Sequence, residues 1–116
     1  MPTHAEMANK LLISGAQFFR DFAEKFGEQD PKMSAQMLEN ADVFEQLATL
    51  IEGNPTGELN GTPVGTLAGK VLKDAAIFFY SLGEQNEPIK EQMVENANVY
   101  NQIGDLVSED PMGILD

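Results

Sequence analysis

The chain has 116 residues, 42% of them hydrophobic, and carries 19 acidic and 7 basic side chains for a formal charge of -12, with one histidine and no cysteine. A domain of this size buries a core without help from a disulfide or a structural metal. The charge opposes approach to nucleic acid phosphates or an anionic membrane surface and suits a basic partner, while the missing cysteines exclude disulfides, zinc thiolate sites and thiol catalysis together.

The acidity is not a tail, because residues 1–60 hold 10 acids and 4 bases and residues 61–116 hold 9 and 3. No apolar run approaches the ~20 residues of a membrane span, and the N-terminus lacks the charged, apolar and small-residue regions of a secretory signal. A cytoplasmic protein with no membrane association is the expectation.

Thr3 and Glu6 form a capping-box pattern ahead of Ala8, Leu12, Gly15, Phe19, Phe22 and Phe26, which alternate steps of four and three. The spacing predicts a first helix over about residues 4–26, with Gly27 as its C-cap. Asp30 and Pro31 supply the N-cap and first turn of a second helix, over about residues 31–52, whose seam is Met33, Met37, Asn40, Phe44, Leu47 and Ile51. The connection that follows, GNPTGELNGT over about residues 53–62, is longer than the loops inside each half and full of turn residues. Thr62 and Pro63 open a third helix over about residues 63–82, with Ala68, Val71, Leu72, Ala75, Phe78, Phe79 and Leu82 on one side and Gly83 as the stop. Pro88 opens a fourth, over about residues 88–108, with Ile89, Met93, Asn96, Tyr100, Ile103 and Val107 as its seam. No segment alternates with the period of a strand.

The stretch QMLENADVF at residues 36–44 returns as QMVENANVY at residues 92–100, and an ungapped overlay of 27–60 on 83–116 matches at 14 of 34 positions. This is an internal duplication, with one unit over about residues 4–60 and the other over about 63–116. Two amphipathic hairpins with short turns predict an all-α, up-down four-helix bundle with an approximate internal twofold, forming one domain over residues 1–116. Burying about ten large side chains per unit, at roughly 1.5–3 kcal/mol each, supplies the drive to pair.

The matches on the second and fourth helices form a stripe beside the seam: Gln36, Glu39, Val43, Gln46 and Leu50 recur as Gln92, Glu95, Val99, Gln102 and Leu106. Either the stripe lies where these two helices meet across the twofold, since a self-complementary contact uses one patch twice, or it is a docking face presented twice to a partner. A third account is similarity left over from the duplication. Asn40 and Asn96, read as seam residues, would fix register. Glu39 and Glu95, if facing, would repel, raise one pKa or share a divalent cation such as calcium, magnesium or manganese; otherwise they are two solvated carboxylates. No cofactor is expected beyond that cation.

With Phe18, Phe19, Phe22 and Phe26 on one helix, Phe18 is left to point sideways, toward an exposed apolar contact for a partner helix or a second copy. His4 would complete an amino-terminal copper or nickel site if Met1 were removed, although Thr3 reads better as a helix cap. Both units end in a Pro-x-Gly-x-Leu pattern, Pro55-Gly57-Leu59 and Pro111-Gly113-Leu115, which suits a helix stop with one apolar residue folded back over the bundle end.

Histidine and cysteine are absent from every helix interior, the serines have no visible base, and the glycines at 57, 61, 65 and 69 follow no strand, so nothing points to catalysis. The expectation is a non-enzymatic protein-interaction or regulatory module with a protein partner, basic in character, or a homodimer contact. The alternatives are an acidic decoy or inhibitor of a basic, nucleic-acid-binding protein, and a metal or small-ligand carrier built on facing Glu39 and Glu95. Hairpin exchange between two chains through the linker is the competing assembly.

Overall fold

The computed structural model describes residues 1–115. Four helices make up the fold: α1 His4–Phe26, α2 Pro31–Gly53, α3 Val64–Gln85 and α4 Lys90–Glu109, the last preceded by a single 3-10 turn at Glu87–Ile89. α1 packs on α2 and α3 on α4; α1 also meets α4 and α3, α2 meets α3, and α2 and α4 occupy the remaining diagonal without packing on each other. Asn9 reaches Ala48 while Ser34 reaches Ala23, and Gly69 lies by Gly104 while Gly83 lies by Met93, so each pair is antiparallel. This is an all-α, up-down four-helix bundle.

Small residues bring α3 and α4 together. A Cβ on Gly69 would sit 2.5 Å from the Gly104 carbonyl oxygen and 1.9 Å from Ser108 Oγ, and one on Gly65 would sit 2.6 Å from the Val107 carbonyl oxygen. The α1–α2 pair differs at the corresponding places. Asn9, 56 residues before Gly65, spans the gap and donates from Nδ2 to the Ala48 carbonyl at 2.8 Å. Salt bridges outside the contact follow the same division: Arg20 pairs with Asp42 and Glu45 in the first hairpin and Lys73 with Asp105 in the second.

The buried residues form one cluster shared by both hairpins. On α2 and α4 they coincide at the 56-residue spacing: Met37 with Met93, Ala41 with Ala97, Phe44 with Tyr100, Leu47 with Ile103, Ala48 with Gly104, Ile51 with Val107. On α1 and α3 the match is partial: buried positions coincide with their sizes exchanged at Leu12 against Ala68, Ala16 against Leu72, Phe19 against Ala75 and Ala23 against Phe79, while buried Gly69 falls on the position of exposed Ile13. Large in one half and small in the other keeps the total volume constant where α1 meets α3, which is the condition a close-packed core tolerates.

Aromatic rings join the hairpins. Across the hairpins Phe78 on α3 meets Phe19 at 5.6 Å and Phe18 at 6.2 Å, and Phe79 meets Phe18 at 5.2 Å, while Phe19–Phe44 and Phe79–Tyr100, each at 5.0 Å, lie within one hairpin; all are edge to face. Gly15 leaves the room for this, since a Cβ there would lie 3.0 Å from the Phe44 ring and 3.4 Å from Tyr100 Oη. The Tyr100 hydroxyl donates to the Leu11 carbonyl at 2.9 Å, tying α4 to α1, and burial pushes its pKa up to about 12.

The seams differ from expectation at their edges. Asn40, Asn96 and Met33 are half-buried, Ile89 is exposed in the 3-10 turn, and the line of full burial runs through Ala41 and Ala97. Gly83 is not a stop. It is buried inside α3, where a Cβ would lie 3.0 Å from Met93 Cβ, and the helix runs on to Gln85, where Asn86 caps the Leu82 carbonyl. Gly27 does end α1, but in right-handed rather than left-handed backbone.

The linker forms a small antiparallel hairpin, β1 Glu58–Leu59 with β2 Thr62–Pro63. Its two-residue turn is Asn60 at φ 53° and Gly61 at φ 83°, the positive pair that Asn-Gly supplies most cheaply. Each Pro-x-Gly-x-Leu segment caps the helix beyond it: the Val64 N–H donates to the Gly57 carbonyl, and the His4 N–H to the Gly113 carbonyl, both at 2.8 Å. The segment after α2 thus starts α3, and the segment after α4 closes on α1. Leu115 packs against the core, while Leu59 stands exposed on its hairpin.

Two predictions follow from this packing. Gly69→Ala should cost about 1–3 kcal/mol by overpacking, whereas Gly53→Ala, with nothing near its Cβ, should stabilise by about 0.5–1 kcal/mol; urea unfolding of both measures the difference. Tyr100 is an acid whose folded pKa lies above its unfolded value. Its contribution is therefore complete below pH ~10 and is lost as pH rises toward about 12, at up to about 1.4 kcal/mol per pH unit. Tyr100→Phe should abolish that slope and cost about 1 kcal/mol at neutral pH.

Candidate interaction site

The ten stripe residues lie on the surface, and they do so identically in both halves. Gln36, Glu39, Val43 and Gln46 on α2 are exposed and Leu50 is half-buried against the core; Gln92, Glu95, Val99 and Gln102 on α4 are exposed and Leu106 is half-buried. Val43 and Val99 each show 45% of their surface to solvent. No extended contact of α2 with α4 is made, and none covers the stripe. The reason is geometric: the short loops and the β-hairpin place helices in ring order, so α2 and α4 fall on a diagonal and α1 and α3 meet across the other.

The same arrangement separates the two glutamates. Glu39 and Glu95 are exposed on helices that do not pack together, so they do not face one another. Among the described residues no three His, Cys, Asp or Glu side chains gather closely enough to hold a metal ion. Each stripe is instead a carboxylate between two carboxamides, Gln36-Glu39-Gln46 and Gln92-Glu95-Gln102, with a valine in the middle and a leucine at one end. In chemical terms that is a hydrogen-bonding and weakly acidic face with an apolar margin.

Asn40 and Asn96 stand between stripe and core. Asn40 lines a small pocket between α2 and α3 rather than a helix seam, and neither amide makes a side-chain hydrogen bond to another described residue. The register role expected of them falls to other groups: Asn9 to the Ala48 carbonyl, Ser34 to the Ala23 carbonyl, and Tyr100 to the Leu11 carbonyl. Asn9 escaped notice because one amide on a helix face carries no periodic signal.

Phe18 lies at the edge of the aromatic cluster. It is half-buried, with its ring centroid 5.2 Å from Phe79 and 6.1–6.2 Å from Phe19, Phe22 and Phe78. Its outer edge borders an open cleft of about 640 Å³ at the bundle end, with Phe22, Phe26, Leu82 and Ile89. Phe18 is thus chiefly a packing residue.

His4 is buried, its backbone N–H is held by Gly113, and Nδ1 lies 2.8 Å from the Asp110 carbonyl oxygen, which can only accept, so Nδ1 carries the proton. The nitrogens an amino-terminal metal site would need are engaged elsewhere. Thr3 caps α1 as a full capping box, and the Thr3 N–H on the Glu6 carboxylate holds that group below its usual pKa.

No family model, curated protein or solved structure matches this chain. Among the described residues no helix is long and apolar enough to cross a membrane.

Because Glu39 and Glu95 are exposed and take no part in the core, changing both to glutamine should shift the unfolding free energy by no more than about 0.5 kcal/mol. The melting temperature should also be the same in chelator and in millimolar calcium or magnesium. A metal-dependent shift lost in the double variant would contradict this.

Proposed function

We propose that the chain is a non-enzymatic interaction module that offers the same polar, weakly acidic docking face twice, on α2 and on α4, to a basic partner. One observation carries the reading: of the residues of α2 and α4 that recur outside the buried core, Gln36, Glu39, Val43 and Gln46 and their counterparts are exposed, with only Asn40, Leu50 and theirs half-buried. Exposed positions on α1 and α3 do not recur at the same spacing, as Ser14 with Lys70, Gln17 with Lys73, Asp21 with Ile77 and Glu24 with Tyr80 illustrate. An exposed glutamine contributes little to packing, so folding alone gives no reason for Gln36 and Gln92, or Gln46 and Gln102, to stay alike.

Each face is suited to a segment that sets Lys or Arg beside an apolar residue. The carboxylate takes the cation, the amides take backbone or side-chain polar groups, and Val43 or Val99 supplies an apolar contact at the centre. Since α2 and α4 lie on a diagonal, occupation of one face leaves the other open, and the module bridges two copies of the same element. The second reading, an acidic decoy for a nucleic-acid-binding protein, is favoured by the net charge of -12 spread over both halves. Long-range charge then dominates over the stripes, and binding collapses in salt.

The test is photo-crosslinking from a benzoyl-phenylalanine placed at Val43, at Val99, or at exposed Ile13 on α1 as a control. The same partner should be trapped from both stripe positions and not from Ile13. Glu39→Arg should reduce the Val43 adduct, and Glu95→Arg the Val99 adduct, by roughly tenfold or more. Adducts formed equally from Ile13, or unaffected by charge reversal, would contradict the docking reading.

A further inference from the structure

At position 18 the first half puts a phenyl ring into the aromatic cluster; 56 residues later the second half puts Asp74. Beside Asp74, between α2 and α3, lies a pocket of about 160 Å³ walled by Phe19, Phe44, Phe78 and Val71, with Asn40 and Asp74 as its polar groups. The Phe19 ring stands edge to face with Phe44 at 5.0 Å and with Phe78 at 5.6 Å, so the walls are fixed by the core. Asp74 is exposed and has no ion-pair partner among the described residues; Lys70, one turn earlier on α3, does not reach it.

We propose that this pocket binds an alkylammonium group. Aromatic walls with one carboxylate select charge as well as shape. An anion is opposed by Asp74 and by the net charge of -12, and a neutral apolar group fills the walls but gains nothing from the carboxylate. A primary or methylated ammonium on a short alkyl stem satisfies both, with the stem on Val71 and the ring edges and the cation near Asp74. The volume has room for roughly five water-sized groups, which is the size of n-butylammonium, the end of a lysine side chain. Asn40 is placed to accept a further N–H from its carbonyl oxygen. Val43 of the α2 stripe also lines this pocket, whereas Asp74, on α3, belongs to neither stripe, so the Asp74 variants test the pocket apart from the docking faces.

The experiment is a ¹H–¹⁵N NMR titration of the full chain at neutral pH and constant ionic strength, with n-butylammonium chloride, n-butanol and butyrate as probes. Saturable shifts confined to the neighbourhood of Val71, Asp74 and Phe78 are expected with n-butylammonium, with no saturable response to the other two. Asp74→Asn, an exposed and nearly isosteric change, should weaken binding at least tenfold. Asp74→Phe, which copies position 18, should abolish it, and if that variant fails to fold the asparagine variant still decides. N-acetyl-lysine amide separates the sources: binding equal to n-butylammonium identifies a protein lysine as the occupant, and loss of binding identifies a free amine. Unsaturable shifts spread over the acidic surface, equal binding of n-butanol, or an unaffected Asp74→Asn variant would overturn the proposal.

Discussion

Where Gly69 lies against Gly104, the backbone of one helix rests on the backbone of the next with no side chain between them. That approach sets the spacing of the second hairpin, while Asn9 on the Ala48 carbonyl holds the first. With small residues used inside the hairpins, the large ones remain for the space between them. Phe18, Phe19, Phe44, Phe78, Phe79 and Tyr100 fill it edge to face. Helix pairs brought together on glycine and alanine, then joined by rings, give a bundle whose inter-hairpin packing depends on a few aromatic positions. At those positions one ring exchanged for a short side chain, as at Asp74, goes with a pocket.

The two halves show how one pattern supports two solutions. Their buried positions coincide along α2 and α4 and only in part along α1 and α3, where a large residue in one half is answered by a small one in the other at shared positions, as with Leu12 and Ala68 or Ala16 and Leu72. A strictly repeated sequence would set leucine against leucine and alanine against alanine where these helices meet, giving clash at one level and void at the next. The core has therefore diverged in a correlated way. Four exposed residues of α2, Gln36, Glu39, Val43 and Gln46, recur on α4 although no such packing constraint acts on them.

Much of this was legible in the sequence. The four helices, the short turns and the bounds of α1 follow from steps of three and four closed by Thr3, Asp30 and Pro31, because amphipathic periodicity and capping are local. Gly83 misled because a glycine after an apolar run reads equally as a stop or as a close contact, and only the partner helix decides. The small β-hairpin had a clear sign, the Asn60-Gly61 pair, which the absence of a long alternating run concealed. What sequence could not supply was helix adjacency. One reading of the stripe, and the facing of the glutamates, needed a contact of α2 with α4, and the ring order puts α1 and α3 in contact instead. The packing of Phe18 was hidden for the same reason, since Phe78 and Phe79 come from the other half.

The central claim is that the repeated stripe is free surface in the isolated protein, ready for a partner and not consumed by folding or self-association. Because the chain has no cysteine, single Val43→Cys and Val99→Cys variants each give one reporter thiol, and the rate of maleimide labelling across a range of protein concentrations measures its freedom directly. The account predicts fast labelling at both positions, equal between them and independent of concentration, against slow labelling of Leu47→Cys in the core. Protection of either stripe thiol, or protection that grows with concentration, would mean that the stripe is buried within the bundle or between copies of the chain, and the docking account would fall.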